Sequence, residues 1–284
     1  LAYIAASLVE ASHKVNVVDT IGEATEKFLP AEDPNFEFQG LSVSETLNLI
    51  DKDSELIGIT CMYSYEWVHI RNFIKLVKEN FPNSIIILGG EHASAMPKYC
   101  LEDCESLDIC VLGEGEETIV ELANLFDRNK TLDNLLNNVT GISFRVDGNL
   151  IINPPRNRIK KIDSIPKPAW DLFPIENYLD AEVTFGVNYG RAMPMLASRG
   201  CPFQCTFCVE GQDYYSKVYS RDVREVREEL IYIAKKLQGT EARLLFADSN
   251  FGMYGANIEV AKIVEQCRRS YGWPSYVTIT GGKN

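Results

Sequence analysis

Ser84-Ile-Ile-Ile-Leu88 runs straight into Gly89 and Gly90, and Leu107-Asp-Ile-Cys-Val-Leu112 runs straight into Gly113-Glu114-Gly115. Each is a short apolar run closed by glycine and followed by helix-forming sequence, the pattern of a strand feeding a helix in a parallel βαβ unit. Working outward, Glu55–Thr60 (ELIGIT) reads as another strand. The helix after it carries Trp67, Ile70, Ile74, Val77 and Phe81 at spacings of three and four. Lys14–Thr20 (KVNVVDT) reads as a further strand, Ser44–Lys52 and Glu116–Phe126 as helices. Four strands, each followed by a helix or loop, predict an α/β, doubly wound (Rossmann-like) domain over residues 1–138. Leu1–Ser12 reads as the helix following a strand that the chain lacks, so the sequence is expected to be a fragment.

Gly141–Ile152 (GISFRVDGNLII) predicts a hairpin turning at Asp147, Gly148 and Asn149. A stretch with Pro154, Pro155, Pro166, Pro168 and Pro174 follows and reads as a linker, so residues 139–190 form a connecting segment. Its Arg156, Arg158, Lys160 and Lys161 read as a solvated connector. From Met195 the alternation resumes: strand MLASRG, a cysteine loop, and a helix from Asp222 with a capping box completed by Glu225. Strand Ala242–Ala247, helix Gly255–Tyr271 and strand Ser275–Thr280 then complete about two and a half βα units in residues 191–284.

The chain has 284 residues, with 28 basic against 40 acidic side chains, so its formal charge is 28 − 40 = −12. That balance argues against a nucleic-acid surface. A hydrophobic fraction of 45% with 24% charged residues fits a globular chain with a sizeable core and excludes disorder. No apolar run reaches the roughly 18 residues of a membrane span. The start lacks the basic region and cleavage site of a secretory signal, which points to a cytoplasmic protein whose eight cysteines are not disulfide-bonded.

Three of those cysteines are clustered, in Cys201-Pro-Phe-Gln-Cys205-Thr-Phe-Cys208, directly after a strand. Three thiolates at spacings of four and three can converge on one metal centre. The leading candidate for a fourth ligand is Cys267, which lies on the apolar face of a helix with Ile258, Ala261 and Val264 and reads as a buried thiol. Three ligands leave one iron of a 4Fe-4S cluster open to substrate.

The loop resembles the signature of the radical S-adenosylmethionine superfamily, with Cys201, Cys205 and Cys208 as its cluster ligands and the aromatic Phe207 before the third. The resemblance implies the first part of a (β/α) partial barrel. It also implies that S-adenosylmethionine chelates the open iron and is cleaved to methionine and a 5′-deoxyadenosyl radical. Arg221 before the next helix, and Asp248 in Phe246-Ala-Asp248-Ser-Asn250-Phe251, resemble positions near S-adenosylmethionine in that family, with Phe207 near the adenine. A capping role for Asp248 and a surface role for Arg221 stand beside that reading.

The first half points to one branch. Thr60-Cys61-Met62-Tyr63-Ser64, Gly89-Gly90-Glu91-His92 and Gly113-Glu114-Gly115 sit at the carboxyl ends of predicted strands, where a doubly wound domain binds its ligand. Followed by a proline linker and the three-cysteine loop, they resemble the cobalamin-binding domain of cobalamin-dependent radical S-adenosylmethionine enzymes, including the anaerobic Mg-protoporphyrin monomethyl ester cyclases. The resemblance implies cobalamin contacts from Thr60, Cys61, Met62, Ser64, Gly89, Gly90, His92, Gly113, Glu114 and Gly115. No histidine follows Asp19 in the pattern that supplies a histidine ligand to cobalt in cobalamin-dependent mutases. Trp170, Phe173, Tyr214 and Tyr215 are candidate lining residues or packing residues.

The activity implied is methyl transfer to an unactivated carbon of a small-molecule substrate, fed by a flavodoxin- or ferredoxin-type electron donor. Three alternatives stand beside it: cobalamin-dependent oxidative cyclisation or rearrangement, methylthiotransfer, and a non-catalytic cobalamin or iron-sulfur module. Methylthiotransferases carry a second three-cysteine cluster, whose spacing Cys61, Cys100, Cys104 and Cys110 do not show. An electron carrier would saturate its cluster with four ligands. No catalytic residue can be named from the sequence.

Overall fold

A computed structural model describes residues 1–31, 35, 37–128, 135–146, 148–182, 190–208 and 216–279, the side chains of residues 127 and 128 excepted. The chain divides into two compact units. One comprises Leu1–Thr20, Leu41–Arg158 and Pro168–Phe173; the other comprises Ile21–Gly40, Ile159–Lys167 and Pro174–Asn284.

In chain order the first elements are helix α1 (Ala2–Glu10), the short hairpin strands β1 (Phe28–Pro30) and β2 (Glu37–Gln39), and helix α2 (Val43–Leu49). Ser42 caps α2 through a full capping box with Glu45. Then come β3 (Leu56–Thr60), α3 (Trp67–Asn80), β4 (Ile85–Gly89), α4 (Glu91–Ala95), α5 (Pro97–Asp103), β5 (Ile109–Val111) and α6 (Glu116–Arg128). The hairpin β6 (Ile142–Val146) and β7 (Asn149–Ile152) completes the first unit.

Strands β3, β4 and β5 pair in parallel, as the repeated strand-glycine-helix reading requires. The hairpin does not open a separate segment: β6 adds antiparallel to β5, with Val111 opposite Ile142 and Ile109 opposite Phe144, giving one five-stranded sheet in the order β3-β4-β5-β6-β7. Of its expected turn, Asp147 lies outside the described residues. The sheet is covered on both faces. Ile74, Val77, Ile86, Leu88, Leu101 and Leu107 form one core cluster, and Ile87, Ile109, Leu122, Ile142 and Phe144 the other. Consecutive strand residues thus alternate between two apolar cores, which is why the strands read as continuous hydrophobic runs.

Lys14–Thr20 differs from expectation. It carries no strand pairing among the described residues, and a β-rich run without a partner has no ladder to join. The positive run in the linker differs at its two arginines, while Lys160 and Lys161 are exposed as expected. Arg156 pairs with Glu121 and lies 3.8 Å from Glu117, while Arg158 lies 3.5 Å from Glu114 with both side chains buried. The Trp170–Leu172 turn is tied to α1, where the Ala169 N–H donates to the Ala2 carbonyl at 3.0 Å.

The second unit contains the hairpin β1–β2 together with α7 (Ile175–Asp180), β8 (Ala192–Met195), β9 (Ser198–Arg199), β10 (Tyr219–Ser220), α8 (Val223–Lys236), β11 (Arg243–Phe246), α9 (Asn257–Tyr271) and β12 (Val277–Ile279). Strands β12, β11 and β8 form a parallel sheet in that order. The run MLASRG is therefore two strands: the parallel sheet ends at Met195, and Ser198–Arg199 pairs antiparallel with Tyr219–Ser220. Asp222 caps α8 by accepting from the Arg224 N–H at 2.8 Å, and the same carboxylate binds the Arg224 guanidinium; the capping box expected with Glu225 does not form. Those bonds hold the Asp222 carboxyl down at about 2. No helix among the described residues is long and apolar enough to cross a membrane.

Candidate functional site

In the first unit three loops, the second and third bearing glycine, leave the carboxyl ends of β3, β4 and β5, the edge where a doubly wound sheet receives ligands. They are stitched together by backbone bonds. The Cys61 N–H donates to the Gly89 carbonyl at 2.9 Å, and the His92 N–H to the Cys61 carbonyl at 3.2 Å. Gly90 has φ +100°, and a Cβ there would stand 2.5 Å from the Cys61 oxygen, so only glycine lets the loops approach this closely. At Gly89, by contrast, an added Cβ would meet nothing within 4 Å. Ser94, which the sequence reading did not single out, joins the second loop to the third. Its hydroxyl donates to the Gly90 carbonyl at 3.0 Å and accepts from the Gly113 N–H at 2.9 Å. Its only signal is its place one helical turn after the glycine pair.

His92 is the chemically distinctive group here. It is 4% exposed, its Nδ1 lies 2.9 Å from the Ser64 hydroxyl, and its ring centroid is 5.3 Å from that of Trp67. Trp67 is itself fixed by its Nε1–H donating to Asp103 at 2.9 Å, a carboxylate that also binds Arg71. Burial pushes the His92 pKa down, so the ring is neutral. Its Nε2 has no hydrogen-bond partner among the described residues. Cys61 is buried, and burial raises its thiol to about 11, which makes it a packing group rather than a nucleophile. Met62, Tyr63 and Tyr65 are exposed on the same loop, the two tyrosine rings stacked at 5.5 Å. Glu114 is buried against Arg158, and at Gly115 an added Cβ would stand 3.1 Å from Ile4. The residues of this edge suit a planar macrocycle: the edge offers open space over Gly89, exposed apolar side chains at Met62, Tyr63 and Tyr65, and an orphaned buried ring nitrogen.

In the second unit Cys201, Cys205 and Cys208 are all free and half-exposed, whereas Cys61, Cys100, Cys104, Cys110 and Cys267 are buried. Burial separates the chemical thiols from the packing ones. Cys267 lies in the core with Val260, Ile263 and Val264 on its own helix, and burial raises its pKa. The loop turns at its end through the Cys208 N–H donating to the Cys205 carbonyl at 3.0 Å. Among the described residues no three His, Cys, Asp or Glu side chains stand close enough to hold a metal ion. The thiols thus share one loop without being gathered. Soft, accessible sulfur donors on a short loop are the donor set an iron-sulfur cluster requires. Phe207 is 79% exposed between them.

Arg221 and Asp248 prove to be occupied by the protein. Asp248 is 1% exposed, and its carboxylate accepts from the Ala197 N–H at 3.1 Å, from the Ser198 N–H, and from the Ser198 hydroxyl at 2.6 Å. Burial raises its pKa against those bonds. Arg221 donates to the Leu196 carbonyl at 2.9 Å and to Glu229 at 2.6 Å, and lies 3.3 Å from Asp163. Burial likewise raises the Glu229 pKa, with Arg221 opposing. Tyr214 and Tyr215 lie outside the described residues.

The B12 binding domain family matches residues 1–123. Over 233 residues the chain is 32% identical to an uncharacterized methyltransferase of Pyrococcus horikoshii, an alignment covering 81% of this chain and 44% of the relative. It is 31% identical over 157 residues to the anaerobic magnesium-protoporphyrin IX monomethyl ester cyclase of Cereibacter sphaeroides, covering 55% of this chain and 24% of the relative. The chain thus spans under half the length of either. Among solved structures, the radical S-adenosylmethionine methyltransferase TsrM from Kitasatospora setae, with cobalamin and a [4Fe-4S] cluster bound, has a TM-score of 0.66 at 17% identity. That likeness of fold covers 95% of this chain and 49% of the other.

Proposed function

We propose that the chain is part of a cobalamin-dependent radical S-adenosylmethionine enzyme and that the intact protein transfers a methyl group to an unactivated carbon of a small molecule. The observation that carries this reading is the loop Cys201–Cys208, where three free, half-exposed thiols follow a strand in a chain whose residues 1–123 match a B12 binding domain. When bound, the cluster supplies the electron that cleaves S-adenosylmethionine to a 5′-deoxyadenosyl radical, and cobalamin supplies the methyl group. The chain's own residues do the holding. Cys201, Cys205 and Cys208 ligate the cluster as thiolates, and the exposed Phe207 ring offers an apolar face to adenine. Thr60, Cys61, Met62, Ser64, Gly89, Gly90, His92, Gly113, Glu114 and Gly115 build the cobalamin edge. Within it, His92 presents a neutral Nε2 whose partner is supplied by the ligand. A flavodoxin- or ferredoxin-type protein is the proposed reductant.

Oxidative cyclisation is the second reading, favoured by the 31% identity to a cyclase. Methyl transfer is preferred because the alignment with the methyltransferase takes in 81% of the chain against 55%. Product analysis separates them. A methyl taken from S-adenosylmethionine leaves S-adenosylhomocysteine behind, so the intact, reduced, reconstituted protein should form it together with 5′-deoxyadenosine. 5′-Deoxyadenosine without S-adenosylhomocysteine would give the reaction to cyclisation or rearrangement.

A further inference from the structure

The segment immediately before the cysteine loop is held by two buried charged side chains. Leu196 and Ala197 lie between the end of the parallel sheet at Met195 and the antiparallel pair that begins at Ser198, so their backbone groups lose the parallel ladder and must find other partners. Asp248, at the carboxyl end of β11, takes the Ala197 and Ser198 N–H groups and the Ser198 hydroxyl. Arg221 takes the Leu196 carbonyl through its guanidinium, and its own N–H donates to the Ala197 carbonyl at 2.9 Å. Arg221 is braced by Glu229 from α8 and by Asp163, and the Tyr254 hydroxyl donates to the Arg221 carbonyl at 3.0 Å. Every backbone polar group that the break exposes at Ala197 is thereby satisfied, three residues before Gly200 and four before the first cysteine.

We propose that Asp248 and Arg221 are positioning residues that fix the root of the cysteine loop, so that Cys201, Cys205 and Cys208 leave the sheet in the register needed to face one cluster. This rests on the reading of the loop as a cluster site. A carboxylate suits the task because it accepts from three donors at once with both oxygens. Asparagine in its place offers one acceptor and turns an N–H₂ towards N–H donors. A guanidinium can bind one carbonyl and two carboxylates together, which an ammonium does less well.

Asp248→Asn and Arg221→Lys in the intact protein test the proposal, with Ser198→Ala as a milder companion that removes only the hydroxyl donor. The readout independent of metal is hydrogen exchange of the Ala197–Gly200 amides in the apoprotein. Asp248→Asn should accelerate it at least about tenfold, the equivalent of one lost charge-assisted hydrogen bond, and Ser198→Ala less. The second readout is iron bound per chain and the electron paramagnetic resonance of the reduced cluster, which should fall and broaden in both charged-site variants with the melting transition still cooperative. Unchanged exchange in Asp248→Asn would overturn the proposal, as would faster exchange accompanied by wild-type iron content and spectrum. Were the wild type itself to take up no iron, the cluster reading would fail, and the exchange result alone would still decide whether Asp248 holds the root.

Discussion

At the scale of single residues, the buried Arg221–Glu229 pair joins α8 to the backbone just before the cysteine loop, through the Leu196 carbonyl. The three cysteines announce themselves by spacing, and burial agrees by separating them from the other five. Asp248 and Arg221 were read by resemblance as positions near S-adenosylmethionine, and their bonds to the backbone before the cysteine loop were not legible. Their partners lie 50 and 25 residues away in sequence, at Ser198 and Leu196, and no local pattern encodes that. The Arg221–Glu229 pair predicts its own energetics. Arg221→Met strands a buried carboxylate and should cost about 3–5 kcal/mol in chemical denaturation, whereas Arg221→Met with Glu229→Leu should recover most of that loss. His92 predicts a pH dependence. Its folded pKa lies below the unfolded value of about 6.5, so the unfolded chain binds a proton that the fold refuses. Stability from this group is complete above about pH 6.5 and declines as the pH falls below it. Urea unfolding at pH 7.5 and 5.5 should show a smaller acid loss in His92→Asn than in the wild type; equal losses would show that the ring is not the source.

Among the elements, the longer helices α3 and α6 and the strands β3, β4 and β5 of the doubly wound sheet could be read from apolar periodicity, because burial on both faces writes a continuous signal. Strands were misread where pairing rather than side-chain pattern decides. Lys14–Thr20 has the composition of a strand and no partner, and MLASRG breaks where Asp248 captures the backbone. Helices α4 and α5 were passed over because Glu91–Ala95 is short and Pro97 suggests a loop, although proline is at home in a first helical turn. The glycine loops can be separated by mutation. Gly90→Ala places a Cβ against the Cys61 carbonyl in a left-handed backbone, and should cost at least about 2 kcal/mol. Gly89→Ala enters open space and should leave stability within about 0.5 kcal/mol while weakening corrinoid retention, read from the visible spectrum of the purified protein. Loss of stability without loss of corrinoid in Gly89→Ala would remove that loop from the cobalamin edge.

For the whole molecule, the chain divides into two compact units, and composition had already argued for more than one domain. The hairpin Ile142–Ile152 shows where that reading stopped short, since hydrophobicity marks a hairpin but not the sheet it will extend. The cluster loop carries the functional claim, so its chemistry is the most direct test. In the anaerobically reconstituted intact protein, addition of S-adenosylmethionine should change the electron paramagnetic resonance spectrum of the reduced cluster, because three cysteines leave one iron open to it. The change should be absent in a Cys205→Ala variant. A spectrum indifferent to S-adenosylmethionine, with no 5′-deoxyadenosine formed on reduction, would contradict the account.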